Sequence, residues 1–483
     1  MGMVQAGVSR VTITPPVGIY LIGFAGRPGG SRGVRDDLYA TTLALSDGAT
    51  EAAIVSCDLL IVHPDLVRRV RQDVSARTGI PGQNVLLCAT HTHSGPGTYV
   101  YPDSPAVARA YVDNLASLLS GAIQVAHDRL APAAFGFGRG QACIGINRRL
   151  TPPDGVTVIA ANPDGPVDPE VGVLRVDTAE GQPLAVVVNH ACHPVVLGEG
   201  SNVISADWPG AMRRVVEQAT GATCLFIQGA CGDINPLPGE PTDDGGVLER
   251  LGTIVGGEVV SAWAGAGPKP TDTLRVCSER LLVPLVPHRV DGDRAVVATS
   301  VAPSTSRTTK VVTTDRPLPH CVESDGAVVA TSVAPSTFRT TKVVTTDRPL
   351  VELAGAADSR EALVALLNAS TPWSAEVIGE GDERRAVLEL GALRVGETAL
   401  VSAAGEVFVK TGLAVKRRSA IANTMFAAYA NGLVGYFPLP EDYPRGGYEV
   451  DESYLFYRLP APLAPAAAGM LEDTAVRLLN KIV

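Results

Sequence analysis

The segment Thr90-His91-Thr92-His93-Ser94-Gly95-Pro96-Gly97 follows directly on Asn84 to Ala89, an apolar run that reads as a strand. Residues two apart on an extended segment share a face, so both imidazoles can look into one cavity at the strand's end. Two such rings suit a metal site, one binding the ion and the other handling charge or protons; the plainer alternative is a pair of hydrogen-bonded loop histidines. A second run, Leu184 to Asn189, ends the same way in His190-Ala-Cys-His193-Pro194, with Ser205-Ala-Asp207 shortly after. Four of the chain's eight histidines thus stand at two strand ends, which favours the metal reading. His193, beside Pro194, reads as a residue holding the loop. A third run enters a glycine-containing turn, Leu225-Phe-Ile-Gln-Gly-Ala-Cys-Gly-Asp-Ile-Asn-Pro236. Gly229 and Gly232 permit close backbone approach, and Asp233 is equally a turn-former or a catalyst.

These clusters need a scaffold that brings distant strand ends together. Apolar runs alternate with helical periodicity: strand 53–58, helix 65–79, strand 84–90, helix 105–130, strand 184–189, helix 209–220, strand 223–228 and helix 247–262. The pattern is α/β, in which ligands gather where strands end and loops begin. Further on, a helix is expected around 359–367, strands around 386–401, a helical segment after Glu406, a strand or buried helix over 423–437, and a last helix over 465–481. Ala295 to Leu318 recurs at Ala327 to Leu350 with one difference, Ser306 against Phe338. Two copies are too few for a solenoid, so one is expected to be an added surface element. Nothing resembling a linker divides residues 1–483, and a single domain is expected.

Composition narrows the function classes. With 46% hydrophobic and 19% charged residues the chain is globular in character. A formal charge of -10 argues against nucleic-acid binding, which needs clustered Lys and Arg. The one basic run, Lys416-Arg417-Arg418, reads as a solvated last helical turn. No run is apolar enough for a membrane span, no stable membrane association is expected, and the N-terminal stretch lacks a signal peptide's layout, so the expected location is cytoplasmic. Cys57, Cys88 and Cys224 lie in apolar strand-like runs as small hydrophobes, and no CxxC suggests a cysteine zinc site.

Taken together the three segments resemble the neutral ceramidase family. His-Thr-His-Ser-Gly-Pro-Gly is similar to that family's first zinc signature, the strand ending in His190 to its second zinc histidine, and Gly232-Asp-Ile-Asn-Pro236 to its Gly-Asp-Val-Ser-Pro block. Ile146-Asn147-Arg148 is similar to the family's Ile-Asn-Arg, and Gly405-Glu406-Val-Phe, Asn431-Gly-Leu-Val-Gly-Tyr436 and Tyr448-Glu449 resemble its later segments, all in the right order. The resemblance implies a mixed sheet core flanked by helices, and one Zn2+ per chain held by His91, His190, Glu406 and Tyr436. It also implies hydrolysis of a linear or cyclic amide by zinc-activated water. His93 and Tyr448 would serve the developing oxyanion, His93 the departing nitrogen, and Arg148 the substrate or the oxyanion. Asn235 stands where the family carries a serine, so it is no nucleophile; the roles left to it are an amide donor to a substrate carbonyl or a change in which substrate fits.

Neither a secretory signal nor the family's further C-terminal domain is recognisable, from which a small-molecule N-acyl amide is the expected substrate rather than membrane ceramide. Two other readings stay open. One is a two-metal hydrolase of the amidohydrolase or phosphoesterase kind, drawing on these histidines with Asp207 or Asp233. The other is a ligand-binding homologue that has lost turnover.

Overall fold

The computed structural model describes residues 2–24, 27, 29–100, 105–153, 155–286, 323–324, 327–328 and 375–483. The expected helix at 359–367 lies outside these residues, as does the duplicated segment apart from the backbone of 327 and 328.

Nine strands form the larger sheet. Eight run in the order Thr223–Gln228, Pro183–His190, Glu170–Thr178, Ala131–Gln141, Gln5–Thr12, Tyr39–Ser46, Glu51–Cys57 and Val85–Ala89. The two end pairs are parallel and the interior is antiparallel. Each parallel pair is joined through a helix, Pro64–Thr78 at one end and Asp207–Thr220 at the other. The βαβ unit needs such a crossover. Pro64 opens its helix where no intrahelical N–H is needed, and Gly79 closes it at φ 83, with its N–H on Ser75 O.

Strand alternation sorts the side chains between two cores. Ala53 and Val55 face the helices, while Ala52 and Ile54 face a second sheet. Burial on both faces explains why these strands read as continuous apolar runs rather than alternating ones. The second sheet is built from Leu274–Pro284, Arg385–Val395, Thr398–Ala403 and Asn423–Ala427, with Val377–Ile378 paired to the start of Arg385–Val395. Leu43, Leu174, Val187, Leu225, Leu393, Leu400 and Met425 fill the space between the sheets. Ala106–Asp128 and Gly245–Gly265 pack on the larger sheet and Ala467–Lys481 on the smaller, so the layers run helix, sheet, sheet, helix. The alternation of strands and helices is therefore α/β as expected, and the sheet core is mixed. Among the described residues no helix is long and apolar enough to cross a membrane.

The larger sheet curls until its ends approach. Ser56 Oγ donates to Phe226 O at 2.6 Å, joining strands that stand near opposite ends of the strand order. The chain after the second sheet closes the seam: Ala428 N–H reaches Gln228 O at 3.0 Å, Ala89 N–H reaches Tyr429 O at 3.1 Å, and Asn431 N–H reaches Leu87 O at 2.8 Å. Loops that follow the two parallel pairs are thereby brought face to face.

The basic run at 416–418 ends the helix Val409–Arg418, but it is not simply solvated. Lys416 Nζ sits largely buried between Asp168 Oδ2 at 2.8 Å and Glu170 Oε1 at 2.9 Å, pinning this helix to the larger sheet.

Candidate metal centre

His91 stands two residues beyond Val85–Ala89, at φ 69. That left-handed conformation costs a non-glycine residue on the order of 1 kcal/mol or more and persists only where neighbours over-determine it. Here Thr90 N–H bonds to Cys57 O and His91 N–H to Leu59 O, both within 2.9 Å. His91 Nδ1 lies 2.7 Å from Leu60 O, His93 Nδ1 3.0 Å from Gly23 O and His193 Nδ1 3.0 Å from Ile234 O. A carbonyl can only accept, so each ring carries its proton on Nδ1 and presents Nε2 as a bare lone pair.

Those lone pairs converge. His91 Nε2 is 3.3 Å from His93 Nε2, and the ligand atoms of His91, His93 and His193 all lie within 4.8 Å of one another. Glu406 Oε2 is 3.7 Å from His91 Nε2 and 3.5 Å from His193 Nε2. Nε2 of His193 is buried with no hydrogen-bond partner. Buried acceptors facing one another repel unless a cation lies among them, and ring N–H groups anchored on backbone carbonyls are the usual support of metal-binding imidazoles. The residues present therefore fit a metal ion.

The histidine set differs from the one implied by resemblance. His190, expected as a ligand, lies outside the cluster, and His193, expected to hold the loop, lies within it. His190 is the last residue of its strand, in register with Gln228. Alternation puts it on the face of Val186 and Val188, toward the helix bearing Trp208, whose ring centroid is 5.9 Å away. Its Nδ1 is held by Glu170 O at 3.0 Å. Only after the strand ends does the chain turn enough for His193 to reach the seam. The sequence carried no signal of this: Leu184 to Val188 is apolar on both faces, Val186 and Val188 on one and Ala185 and Val187 on the other, so the pattern alone does not say which core His190 joins.

Glu406 and Tyr436 come from distant parts of the chain and are register partners in a short parallel pair, Glu406–Val407 with Tyr436–Phe437. Two phenols hold the carboxylate: Tyr457 donates to Oε1, and Tyr429 to Oε2 at 3.4 Å. Tyr436 Oη accepts from Arg148 Nη2 at 3.0 Å. Arg148 is held in turn by Glu449 Oε1 on its Nε at 3.0 Å and by Asn235 Oδ1 on its Nη1 at 3.3 Å. Asn235 Nδ2 donates one of its two N–H groups to Gly239 O at 3.0 Å, within its own turn. Glu449 also binds Arg149, making a buried Arg–Glu–Arg set. The ring of Tyr448 stands edge-on to that of Tyr436, centroids 5.7 Å apart. Glu449, Tyr429 and Tyr457 were not singled out as site residues by sequence; a lone glutamate and two tyrosines in apolar surroundings carry no spacing that marks them.

Burial sets the electrostatics. It pushes the His91 imidazole down to about 3, against the opposing pull of Glu406, and the His193 imidazole also down to about 3, with Arg148 acting in the same sense. His93 is lowered well below the ordinary range by burial and then by His91. All three are neutral at pH 7, as metal ligands must be. Burial raises the Tyr436 phenol, with Glu406 adding to the rise and Arg148 opposing it. For Arg148 burial works against the charge, but Tyr436, Glu449 and Glu406 outweigh it and the guanidinium is held firmly protonated.

The aspartates of the two-metal reading are otherwise occupied. Asp207 accepts the backbone N–H groups of Val196, Leu197 and Trp208. Asp233 accepts from Val409 N–H at 2.8 Å and Asn147 Nδ2 at 2.9 Å. A cavity of about 560 Å³, lined by Arg68, Arg71, Gln72, Glu389 and Asn431 among others, shares no residue with the metal cluster.

Comparison with known proteins agrees with this architecture. Residues 4–257 match the model of the neutral/alkaline non-lysosomal ceramidase N-terminal region. Neutral ceramidase A of Dictyostelium discoideum is 28% identical over 238 residues, 44% of this chain and only a third (33%) of that protein. The neutral ceramidase of Pseudomonas aeruginosa is 23% identical across 92% of this chain and 68% of that protein. Among solved structures, one described as ceramidase complexed with C2 superposes with a TM-score of 0.68 at 18% identity, covering 99% of this chain and 75% of that one. The neutral ceramidase structure from Pseudomonas aeruginosa gives 0.67 at 18% identity, covering 100% and 75%. A family match over more than half the chain makes it a member of the neutral/alkaline non-lysosomal ceramidase family, whose solved structures share its fold.

Proposed function

We propose that the protein is a zinc-dependent amidase that hydrolyses the bond between a fatty acyl group and an amino alcohol, the bond a ceramide carries. One observation carries the reading: three imidazoles, each fixed through Nδ1–H on a backbone carbonyl, turn bare Nε2 atoms toward one another beside Glu406. Neutral nitrogen donors with a carboxylate suit zinc better than the hard cations, which prefer oxygen. The family of the chain supports an amide as the bond attacked.

His91, His193 and Glu406 would hold the ion, with Tyr436 alongside, and zinc there supplies the Lewis acidity that activates water near neutral pH and polarises an amide carbonyl. The remaining work falls to the chain's own side chains. His93 is the half-buried member of the histidine cluster. Its neutral Nε2 takes a proton from the attacking water and returns it to the departing nitrogen. Arg148 supplies a fixed positive charge beside Tyr436 Oη, preorganised by Glu449 and Asn235. Tyr448 offers a phenolic O–H to the carbonyl oxygen as it gains charge. Asn235 acts through Arg148 rather than on the substrate.

The test is hydrolysis of a short-chain ceramide and of a panel of small N-acyl amines by purified protein, before and after metal removal by a chelator. Stripping is expected to lower the rate at least about 100-fold, with zinc restoring it and magnesium not. Undiminished hydrolysis by the stripped protein would remove zinc from the account. Cleavage of small N-acyl amines without cleavage of ceramide would replace the substrate but keep the chemistry.

A further inference from the structure

Gln228 ends the strand Thr223–Gln228 and is fully buried. Its Nε2 donates to Thr90 O at 3.2 Å and to Cys192 O at 2.9 Å. Its Oε1 accepts from Cys192 N–H at 3.3 Å and from Gly229 N–H at 3.1 Å. A primary amide has two N–H donors and an oxygen with two lone pairs, so all of its hydrogen-bonding capacity is used. Thr90 immediately precedes His91, and Cys192 immediately precedes His193. One side chain thus spans the two loops that carry the facing imidazoles. Another direct link between these loops, His93 N–H to Pro194 O, is longer at 3.4 Å.

We infer that Gln228 is a positioning residue that sets the separation of His91 and His193, and through it the grip of the site on a divalent metal ion. The inference rests on the metal reading proposed above. An apolar side chain at 228 would fill the space but leave the Thr90 and Cys192 carbonyls free to move apart. A carboxylate would face the same two carbonyls with acceptors only. Neither preserves the distance between the loops.

Asn189 provides the control. It is also buried and bridging, donating from Nδ2 to Ile227 O and Phe426 O, each at 2.9 Å, and accepting Phe426 N–H at 3.2 Å. It ties the two sheets together and makes none of these bonds to either histidine loop. Loss of stability and loss of positioning can therefore be separated.

The experiment compares full-length wild type, Gln228→Met, Gln228→Glu and Asn189→Leu. Each is measured for urea stability, for zinc affinity by competition with a chromophoric chelator, and for the visible spectrum of the cobalt-loaded protein. The Gln228 variants are expected to bind zinc at least about 10-fold more weakly, the scale of loss typical when support for a metal ligand is removed, and to show an altered cobalt spectrum. Asn189→Leu is expected to lose stability while keeping zinc affinity within about twofold and the wild-type spectrum. Gln228→Glu retains an acceptor for Cys192 and Gly229, and it serves if the methionine variant does not fold. A folded Gln228 variant with wild-type affinity and spectrum overturns the inference and leaves the metal reading standing. So does an Asn189→Leu variant that loses as much affinity as the Gln228 variants. Wild-type protein that takes up neither zinc nor cobalt sinks the metal reading, and this inference with it.

Discussion

His193→Asn is expected to abolish zinc binding and amide hydrolysis, while His190→Asn leaves both nearly unchanged. Asparagine is the informative replacement because its amide nitrogen stands close to where Nδ1 stood. The bond to Ile234 O, or to Glu170 O at position 190, is kept and Nε2 alone is removed. Only one of the two Nε2 atoms lies within 4 Å of Glu406. Loss of a ligand should exceed the roughly 10- to 100-fold that loss of an outer partner costs. Zinc content after gel filtration, together with the hydrolysis rate, measures the effect. The opposite pattern, with metal lost at 190 and kept at 193, would restore the ligand set implied by family resemblance and contradict the geometry.

Glu449→Gln is expected to be the most destabilising single change near the site. Glu449 is buried and ion-pairs with two arginines that are themselves buried, Arg148 and Arg149. Removing its charge leaves two guanidinium groups in a dry environment, and breaking such a set from one side typically costs about 3–5 kcal/mol. Arg149 keeps Asp442 at 3.6 Å and Gly446 O at 2.9 Å, so the burden falls chiefly on Arg148. With Glu449 neutral, Arg148 loses the anchor on its Nε and no longer holds its charge steadily beside Tyr436, so activity should fall along with stability. Urea denaturation gives the first quantity and the hydrolysis rate of the folded fraction the second. A loss below about 1 kcal/mol would mean that water or Asn235 compensates for the missing charge.

Much of the scaffold was legible because the strands that carry the site are apolar and short and the helices between them are amphipathic. The strand expected at 223–228 is the strand observed, and the helix expected over 65–79 spans Pro64–Thr78. The antiparallel strands Gln5–Thr12, Ala131–Gln141 and Glu170–Thr178 left less trace, since glycines, prolines and charged residues interrupt their patterns. The segment 423–437 was ambiguous between strand and helix, and it resolves into Asn423–Ala427 followed by an irregular stretch and Tyr436–Phe437.

For the site, residue types and strand ends were informative but facing was not. His91 and His93 could be paired from their spacing. The choice between His190 and His193 depended on where the strand stops, which no motif states. Glu406 and Tyr436 lie 30 positions apart and meet through a two-residue parallel pairing. Gln228 was invisible as a site residue, because a glutamine ending an apolar strand reads as an ordinary polar terminus. Its role follows only once the sheet has curled and its two ends are known to meet.

The central claim is most directly tested by an anomalous-diffraction map of the zinc-loaded protein, collected on either side of the zinc absorption edge. One peak per chain is predicted, bonded to Nε2 of His91, Nε2 of His193 and a carboxylate oxygen of Glu406. A map with no peak among these atoms, or with the peak at His190, would contradict it.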